Sequence, residues 1–507
     1  MALLALSLLL CVPILVWCLK LLQAIWWKPR MIEKKLKRQG IHVLPYKLLV
    51  GNIKEMNKLA SEARSKPMEL SHDIATLLNP MLQKLAMTYK KPIAIWHGTV
   101  PCVVIMNPKL IKDIMTRKFE FQKPEVSPTM KFFLKGLSNI DGDKWAMHRK
   151  IINPAFHMEK LKGMLPSFMV CCEEMVEKWD KLLSSANSCE LDVLPEFQNL
   201  TGDIISRAAF GSNLEEGRLI FSLQREQGKL LEQSIFNFNS LWSRLLPSKL
   251  KELKEKMMQN HQQVRALLQG LIETREKAIL SGNEYQNDLL NLLLKSNFNE
   301  AQESPNLGMS REDVIEECKL FYFAGHETTA NLLTWTMIVL SMHLNWQEKA
   351  RQEVLDLVGK NKPTFDELNR MKIARMILFE VLRLYPPTSV VRSIPKETQL
   401  GEYSLPAGVN LTIPLYLVQR DPELWGENAM EFNPERFSDG FTKPFFSFGW
   451  GPRICIGQNF AMLEAKLALA MILQHFSFEL SPTYRHAPYV ALTLQPQFGA
   501  QIVLSKI

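Results

Sequence analysis

The stretch Phe448–Gly457 reads FGWGPRICIG and places one cysteine among glycines, an arginine and large apolar residues. The apolar, helix-like run QNFAMLEAKLALAMIL follows at 458–473. A buried structural cysteine is the simplest interpretation, because free cysteines pack as small hydrophobes. The alternative interpretation starts from the position of Cys455 just before a predicted helix. A helix N-terminus and backbone N–H groups lower the pKa of a thiol, which then acts as a nucleophile or a metal ligand.

Cys455 lacks the companion residues that most cysteine chemistry needs. A nucleophilic cysteine needs a base, and no Cys-His signature accompanies this one. Zinc would need three more protein ligands at recognisable spacing, and these are missing. Haem brings four nitrogen ligands of its own and needs only an axial ligand from the protein. A single thiolate on haem iron therefore fits Cys455 better than the other sites do.

Composition sets the broad class of the protein. Of 507 residues, 47% are hydrophobic and 22% charged, which indicates a large packed core and neither a disordered chain nor a polytopic membrane protein. The net charge of +9 would suit nucleic acid, an anionic membrane or an acidic protein partner. No nucleic-acid-binding motif is present. Most of the eight cysteines are predicted to be reduced thiols, because they show no CxxC and no metal-finger spacing.

The N-terminal segment predicts a membrane anchor. Residues 2–19, ALLALSLLLCVPILVWCL, form an apolar run of about 27 Å as a helix, close to the thickness of the hydrocarbon core. A cleaved signal peptide would instead have a basic start and small residues at its end. Here the basic residues follow the run: Lys28, Arg30, Lys34, Lys35, Lys37 and Arg38. We therefore expect a retained anchor over 1–27, a basic, proline-containing linker over 28–51 and a cytosolic domain over 52–507.

Hydrophobic periodicity predicts a mainly α fold with a small β portion. Helix-period patterns run through about 158–184, 248–281, 311–345 and 458–476. Two β-like runs flank a His-Gly-Thr turn in 91–106, and VNLTIP at 409–414 and QIVLSKI at 501–507 are further strand candidates. The stretch 296–310, SNFNEAQESPNLGMS, is typical of an exposed loop. No internal repeat is visible, so we expect one large mixed domain after the anchor.

The cysteine segment resembles the haem-binding loop of the cytochrome P-450 superfamily. The family pattern F-x-x-G-x-R-x-C-x-G is met by Phe448, Gly451, Arg453, Cys455 and Gly457. The resemblance implies that Cys455 is the axial iron ligand of haem b and that Arg453 pairs with a haem propionate. It implies that Phe448 shields the thiolate and that the glycines let the backbone approach the macrocycle.

A second motif lies in the predicted helix around 311–345. The sequence AGHETT at 324–329 puts an acid and hydroxyls into an otherwise apolar helix. An exposed polar patch would be the simpler interpretation, but apolar residues flank the motif on both sides. In the resembled family an acid-alcohol pair at this position relays protons to bound dioxygen, and Glu327 with Thr328 match it. His326 stands at a variable position and receives no role.

A third motif concerns folding of the pocket. Glu380 and Arg383 in FEVLRLYPP are one helical turn apart, as an ordinary surface pair would be. The resemblance identifies them with the family's ExxR motif, and the arginine of its downstream P-E-R-F with Arg436. These three residues are assigned to forming the haem pocket. Phe379 and the pair Gln419-Arg420 differ from the residues common in the family at these positions. We expect these differences to leave the core motifs untouched.

Three more residues are assigned to the haem by the resemblance. WAMHR at 145–149 matches the family's W-x-x-x-R, which puts Trp145 and Arg149 on one helix face. Arg392 in SVVRSIP stands where the family's strand arginine does. All three are expected to contact haem propionates.

The resemblance extends from the anchor to Gly457 and is most like clan 72 of the plant cytochromes P-450, which includes secologanin synthase-like enzymes and triterpenoid oxidases. It implies a monooxygenase of the endoplasmic reticulum membrane, single-pass, with its catalytic domain in the cytosol. Electrons would come from NADPH through a separate cytochrome P-450 reductase, with cytochrome b5 as an additional partner. The same fold used for isomerisation or dehydration of a peroxide, and a non-enzymatic membrane-anchored helical protein, are the alternatives.

The substrate is expected to be hydrophobic. The segments expected to line the pocket are 126–140, 215–245, the 320s helix and 388–391, which are rich in Phe, Leu, Met and Val. Clan 72 resemblance implies a terpenoid, with a triterpenoid favoured and a gibberellin, a brassinosteroid or an iridoid as alternatives.

Overall fold

The computed structural model describes residues 2–65, 68–89, 92–125, 128–132, 135–184, 187–211, 214–238, 247–282, 288–303 and 308–507. Residue contacts divide the chain into two compact units. The first unit comprises 1–66, 75–125 and 389–418, and the second comprises 67–74, 126–388 and 419–507.

Twenty α-helices lie within the described residues. They are α1 Ala2–Leu22, α2 Lys28–Arg38, α3 Ile53–Arg64, α4 Ala75–Leu78, α5 Pro80–Thr88, α6 Pro108–Thr116, α7 Pro128–Lys131, α8 Gly142–Ile152, α9 Met158–Leu183, α10 Val193–Ile204, α11 Leu214–Phe238, α12 Pro247–Leu280, α13 Leu289–Glu303, α14 Arg311–Met342, α15 Leu344–Leu357, α16 Phe365–Arg370, α17 Lys372–Leu384, α18 Leu415–Val418, α19 Pro422–Trp425 and α20 Gln458–His475. Short π-helical turns cover Gln23–Trp27 and Ile205–Ala209, and 3-10 turns cover Asn153–Phe156, Pro434–Phe437 and Gly451–Arg453.

The described strands are short. They are β1 His42–Val43, β2 Ile93–His97, β3 Val100–Val104, β4 Ser188–Asp192, β5 Val390–Ser393, β6 Thr398–Leu400, β7 Tyr403–Leu405, β8 Asn410–Ile413, β9 Phe476–Leu480, β10 Pro488–Val490, β11 Leu494–Pro496 and β12 Gln501–Lys506. The first unit contains the sheet β1-β2-β3-β8-β5 and the hairpin β6-β7. The second unit contains the sheet β4-β12-β9 and the hairpin β10-β11.

Helix α14 is the central element of the second unit. A capping box begins it: the Ser310 side chain accepts from the Asp313 backbone N–H, and the Asp313 side chain accepts from the Ser310 N–H. Such reciprocal caps satisfy N–H groups that a helix start leaves without partners. Most of α14 is buried, and in α20 the residues from Met462 to Leu473 are buried as well. Apolar residues on all sides are typical of helices inside a large core.

The mainly helical class, with a small sheet portion, is confirmed. The patterns predicted over 158–184, 248–281 and 458–476 correspond closely to α9, α12 and α20. The pattern over 311–345 is interrupted at His343, where α14 ends and α15 follows. The two β-like runs in 91–106 form the antiparallel pair β2 and β3, and the candidates at 409–414 and 501–507 form β8 and β12.

The loop predicted over 296–310 is wrong for its first half, because α13 continues to Glu303. The Asn297 side chain explains the difference. Its Nδ2 donates to the Met309 carbonyl at 3.1 Å, and its Oδ1 accepts from the Met309 N–H at 2.6 Å. The amide thus ties the following chain back to the helix, so that polar residues there remain helical. Residues 304–307 lie outside the described part of the chain.

The predicted anchor coincides with α1, which contains Pro13. In the ranges that the structure describes, no helix is both long enough and apolar enough to cross a membrane. The anchor and the boundaries 1–27, 28–51 and 52–507 therefore stay predictions.

Candidate active site

The loop around Cys455 is a tight hairpin that leads into α20. The Cys455 N–H donates to the Phe448 carbonyl at 2.7 Å. Gly449 and Gly451 have φ angles of 77° and 68°, a region that side chains disfavour. The loop therefore needs glycine at both positions to present Cys455, which is exposed, ahead of Gln458 at the start of α20.

The pKa of Cys455 departs from the direction that the sequence predicts. Burial by surrounding protein atoms raises the pKa of this thiol, although the residue retains contact with solvent. The Gly457 backbone N–H and the Arg149 guanidinium act in the opposite direction but do not outweigh burial. A coordinating thiol is deprotonated by its metal, so an iron ligand role remains compatible with this environment.

Two arginines at the cysteine loop, Arg149 beside it and Arg453 within it, have N–H donors without a partner among the described residues. Arg149 Nη1 donates to the Ile454 carbonyl at 2.8 Å, and Arg453 Nη2 donates to an Asp141 carboxylate oxygen. The Nε atoms of both arginines are buried, and neither has a hydrogen-bond partner among the described residues. The Arg453 guanidinium lies 4.5 Å from the centroid of the Trp145 ring. An anionic group such as a haem propionate would satisfy these buried donors, so the residues fit the cofactor.

Burial also lowers the pKa of both guanidinium groups. For Arg149 burial is the largest cause, opposed by Cys455. For Arg453 burial again comes first, and the Arg149 charge adds to it while Asp141 opposes it. Two cations held close together in a buried site favour an anionic ligand.

Between its two ends, helix α14 is partly accessible around its acid-alcohol motif. Its residues from Val314 to Tyr322 and from Thr329 to Ser341 are buried, whereas 323–325, 327 and 328 are partly exposed. The Thr328 hydroxyl donates to the Ala324 carbonyl at 2.7 Å, one turn back. Gly325 permits close packing on this stretch, because a Cβ there would lie 2.4 Å from Ile205 Cδ1. The motif therefore lies at an opening along an otherwise enclosed helix.

Glu327 is held by hydrogen bonds from two elements. Thr493 Oγ1 donates to Glu327 Oε1 at 3.2 Å, and Asn331 Nδ2 lies 3.5 Å from the same oxygen. Asn331 Nδ2 also donates to Thr493 Oγ1 at 2.8 Å. Burial raises the pKa of Glu327, while Thr493, Asn331 and the Arg225 charge act against it. A raised pKa keeps the proton on a carboxyl group at a higher pH than an exposed acid would, which suits a proton donor.

His148 and Glu317 link α8 to α14, a connection that the sequence analysis missed. His148 Nδ1 lies 2.6 Å from Glu317 Oε1, and the Leu137 N–H donates to Glu317 Oε2 at 3.0 Å. Both side chains are buried. His148 adjoins Arg149, so the pair anchors the helix that carries Trp145 and Arg149. No local pattern indicates it, because the partners are far apart in sequence.

Glu380 and Arg383 form a fully buried ion pair on α17. Arg383 Nε and Nη2 each donate to a Glu380 carboxylate oxygen at 2.7 Å. Arg383 Nη1 donates to the carbonyls of Gln419 and Ala429, both at 2.7 Å. Arg383 Nη2 also reaches the Glu431 carbonyl at 3.0 Å. Every nitrogen of this guanidinium has an acceptor, as a buried charge requires.

The third predicted partner, Arg436, joins the same cluster. Its Nε lies 3.4 Å from Glu380 Oε1, and its Nη1 donates to the Trp425 carbonyl at 2.9 Å. The Asn433 N–H donates to Glu380 Oε1 at 2.9 Å. The structure thus brings together the three residues that the sequence assigns to pocket formation.

The expectation that Gln419 leaves the core motifs untouched is wrong. Gln419 Nε2 donates to the Arg383 carbonyl at 3.2 Å and to Ser447 Oγ at 3.0 Å. Its Oε1 accepts from the Phe446 N–H at 2.8 Å. This buried amide therefore connects the Arg383 cluster to the segment just before Phe448.

The same expectation is wrong for Phe379. Its ring lies 5.7 Å from Phe437, 4.8 Å from Phe441 and 5.7 Å from Phe445, centroid to centroid. Phe437 directly follows Arg436, so the aromatic cluster packs against the motif segment. An apolar residue before Glu380 suits this cluster, which sequence reasoning missed because its members come from distant segments.

Glu464 is a further buried acid that the sequence analysis did not single out. It lies on α20 with no exposed surface. Burial raises its pKa well above the ordinary value, and the Thr329 hydroxyl opposes the shift. Burial therefore favours the neutral form of this carboxyl group.

Arg392 belongs to the first unit, where it lies on β5. It is buried, and its Nη1 donates to the Val391 carbonyl at 2.9 Å. Its predicted contact with a haem propionate stays a prediction.

Part of the expected substrate lining forms an apolar cluster in the second unit. Leu230, Leu231 and Met257 are buried there, with Met130, Leu253, Phe323 and Leu492 packed against them. Positions 126, 127, 133, 134 and 239–245 of the predicted lining lie outside the described residues.

The accessible cysteine ahead of a buried helix fits the haem-thiolate class that the motif predicts. Two arginines with spare donors and an acid-alcohol pair at a helix opening fit it as well. Residues 71–498 match the family model "Cytochrome P450". The chain therefore belongs to the cytochrome P450 family.

Named relatives place it among the plant members of clan 72. The chain is 50% identical over 494 residues to "Cytochrome P450 CYP72A616" of Paris polyphylla, covering 95% of each chain. It is 49% identical over 499 residues to "Cytochrome P450 72A552" of Barbarea vulgaris, covering 97% of this chain and 96% of the relative. It is 48% identical over 505 residues to "11-oxo-beta-amyrin 30-oxidase" of Glycyrrhiza uralensis, covering 97% of this chain and 96% of the relative. The protein is thus an oxygen-incorporating oxidoreductase that uses thiolate-ligated haem, and the family's general arrangement draws electrons from NADPH through a reductase.

Proposed function

We propose that this protein inserts one oxygen atom from O2 into a hydrophobic terpenoid, with a triterpenoid as the favoured class. The observation that carries the proposal is the occurrence in one compact unit of the accessible Cys455 loop and of the opening on α14 at Glu327 and Thr328. Haem supplies dioxygen binding and activation when it is bound. The residues of this chain then hold the cofactor, deliver protons and exclude water.

Cys455 is proposed as the axial ligand, with the Gly457 N–H directed at its sulfur. The unpaired Nε donors of Arg149 and Arg453 support their assignment to propionates. Trp145 supports Arg453 through its ring. The remaining cofactor contacts are proposed from the family motif: Phe448, Gly451 and Arg392.

Glu327 and Thr328 are proposed to move protons into the site. The raised pKa of Glu327 leaves a proton on the carboxyl group at a higher pH than an exposed acid would retain it. The Thr328 hydroxyl donates to Ala324 in this structure and accepts on its remaining lone pairs. Proton delivery at this opening fits general acid catalysis through a hydroxyl.

Substrate class is proposed from two observations. The described lining around Leu230, Phe323 and Leu492 is apolar, which favours a ligand recognised by shape. A relative that shares 48% identity is named an oxidase of 11-oxo-beta-amyrin. A gibberellin, a brassinosteroid or an iridoid is the alternative substrate for the same chemistry.

We also propose a location and partners. The apolar run at 2–19 followed by six basic residues supports a single-pass anchor in the endoplasmic reticulum membrane, with the catalytic part in the cytosol. The net charge of +9 supports docking to an acidic redox partner. NADPH-cytochrome P-450 reductase is the proposed electron donor, with cytochrome b5 as an additional partner.

The first test is the carbon monoxide difference spectrum of the dithionite-reduced protein in membranes. The wild-type chain should give the strongly red-shifted band of thiolate-ligated haem, and Cys455→Ser should lose it. Cys189→Ser is the matched control, because this cysteine lies on β4, and should keep the band. Folded protein without any haem signal would favour the non-enzymatic helical protein.

A second test separates the substrate classes. Membranes with reductase and NADPH are incubated with representatives of the triterpenoids, gibberellins, brassinosteroids and iridoids, and products are identified by mass. Incorporation of one ¹⁸O atom from ¹⁸O2 into a triterpenoid supports the proposal. Turnover restricted to another class overturns the triterpenoid assignment, and reductase-independent turnover of a peroxide would indicate an isomerase or dehydratase.

A further inference from the structure

The turn between β10 and β11 brings one polar side chain to the acid of α14. Thr493 is buried, and its hydroxyl donates to Glu327 Oε1 at 3.2 Å. Asn331 Nδ2 donates to Thr493 Oγ1 at 2.8 Å, which orients the threonine hydroxyl. The contact joins residues 166 positions apart, so it depends on the fold and not on a local motif.

The donors favour one carboxyl oxygen over the other. Thr493 and Asn331 both approach Glu327 Oε1, whereas the His326 Nδ1 atom lies 3.8 Å from Oε2, beyond hydrogen-bond distance. An oxygen that accepts from a hydroxyl serves as the carbonyl oxygen of a neutral carboxyl group. The proton of that group then resides on Oε2, which is left to donate.

The turn that carries Thr493 is held in place through the next residue, Leu494. The Leu494 N–H donates to the Pro387 carbonyl at 2.9 Å, and Trp335 Nε1 donates to the Leu494 carbonyl at 3.1 Å. On the other side, Leu492 packs in the apolar cluster with Leu230 and Phe323. Thr493 therefore approaches Glu327 from a fixed backbone, as a positioning residue requires.

We propose that Thr493 is a positioning residue that fixes the rotamer of Glu327 and directs its proton to Oε2. This inference rests on the proposed role of Glu327 in proton delivery. Loss of the Thr493 hydroxyl leaves only the longer Asn331 contact, at 3.5 Å, to distinguish the two carboxyl oxygens, so the donating oxygen is less strictly defined. Proton delivery then falls behind electron delivery, and reducing equivalents form peroxide or water.

Other charged groups face the same carboxyl group. Arg225 on α11 lowers the pKa of Glu327. Glu232, also on α11, has a raised pKa that is due first to burial and then to Glu327. His326 on α14 is buried, and burial lowers its pKa to about 3, so it is neutral. The Thr493 hydrogen bond stabilises the ionised carboxylate, and its removal therefore raises the pKa of Glu327.

The test uses the full-length holoenzyme with Thr493→Val, which keeps the shape and removes the hydroxyl, and Thr493→Ser, which restores it. Thr336→Val is the matched control, because this buried hydroxyl on α14 donates to the Leu332 carbonyl and has no contact with Glu327 in the described residues. The infrared band of the Glu327 carboxyl group is isolated by subtraction of Glu327→Gln and followed with pH. Product formed per NADPH consumed is measured in parallel.

Thr493→Val should shift the carboxyl band to higher frequency and move its disappearance to higher pH. Product per NADPH should fall roughly threefold to tenfold, the loss of about one hydrogen bond, with an unchanged carbon monoxide spectrum. Thr493→Ser and Thr336→Val should behave like the wild type. A band and a pH midpoint that stay unchanged in Thr493→Val overturn the proposal, even where coupling falls.

The same variants distinguish failure of the proposed function. If Glu327→Gln itself keeps wild-type product per NADPH, the proton-delivery role of Glu327 is wrong. If Glu327→Gln is uncoupled but the Thr493→Val band does not move, only the positioning role of Thr493 is wrong.

Discussion

Arg383 differs from Arg149 and Arg453, which lie in the same second unit, in how its guanidinium nitrogens are satisfied. Arg383 donates from Nε, Nη1 and Nη2 to acceptors within the protein. Arg149 and Arg453 each keep a buried Nε without a partner among the described residues. Glu380 and Arg383 form a closed cluster, in which every guanidinium nitrogen of Arg383 donates within the protein and which stabilises the fold. An unsatisfied buried donor is available to a ligand, although Arg436 beside the closed cluster also keeps such an Nε. The unsatisfied donors indicate a cofactor role only together with their position, since Arg149 donates to the Ile454 carbonyl and Arg453 lies two residues before Cys455.

The largest expected effect comes from breaking the closed cluster. Glu380→Ala leaves Arg383 as a buried charge without its carboxylate, which costs about 3–5 kcal/mol in such pairs. We expect little folded, haem-containing protein, measured as carbon monoxide-binding haem per milligram. Glu427→Ala, at an exposed position in the nearby loop, is the control and should fold normally. Normal haem incorporation in Glu380→Ala would contradict the structural role of the cluster.

A second effect depends on pH and concerns Glu464. Its folded-state pKa is raised, so the protein binds a proton that the unfolded chain releases above the ordinary carboxyl pKa. The free energy of unfolding should therefore fall as pH rises above that value, by up to about 1.4 kcal/mol per unit until the folded-state pKa is reached. Glu464→Gln, which mimics the neutral acid, should show a shallower decline in thermal denaturation between pH 5 and 8. Parallel pH curves for the two proteins would argue against a raised pKa of Glu464.

A smaller effect is expected at the link between the closed cluster and the cysteine loop. Gln419→Ala leaves the Phe446 N–H without its acceptor, a loss of about 1–3 kcal/mol for a buried group. Gln352→Ala removes an exposed amide that bonds to Asp356, and should cost less. Denaturant unfolding of both variants compares them. Equal midpoints would show that Gln419 does not support the cluster.

The smallest effect on the fold is expected at Arg149, whose Nε has no hydrogen-bond partner among the described residues. Arg149→Leu removes one hydrogen bond to Ile454 and should lower the free energy of unfolding by about 1 kcal/mol or less. Haem release to a scavenger protein should nevertheless become faster, because a propionate partner is lost. Haem release at the wild-type rate would remove Arg149 from the cofactor site.

Much of this architecture follows from local patterns. The long helices have clear periodicity, and the motifs around Cys455, Glu327 and Glu380 are contiguous in sequence. The predictions that were wrong concern side chains whose contacts lie outside the local pattern of the sequence. Asn297 keeps a polar stretch helical through Met309, and no local pattern reveals that bond.

The raised pKa of Cys455 was equally inaccessible from sequence. A helix start and nearby amides argue for a lower value, but the atoms that bury the sulfur come from other segments. The contacts of Gln419 and Phe379 were not predictable for the same reason. Their partners are fixed only when the segments around 380, 437 and 446 meet, so the polarity of the single residue is a poor guide.

The contact of Gly325 with Ile205 has a consequence for how this enzyme's substrate range can evolve. A side chain at 325 alone would collide with the outer atoms of Ile205, so that either the Ile205 side chain or the stretch of α14 that carries Glu327 must move. Shortening Ile205 first removes the collision, after which alanine at 325 is accommodated. The effects of substitutions at the two positions are therefore expected to depend on each other, so that libraries varying 325 should vary 205 with it.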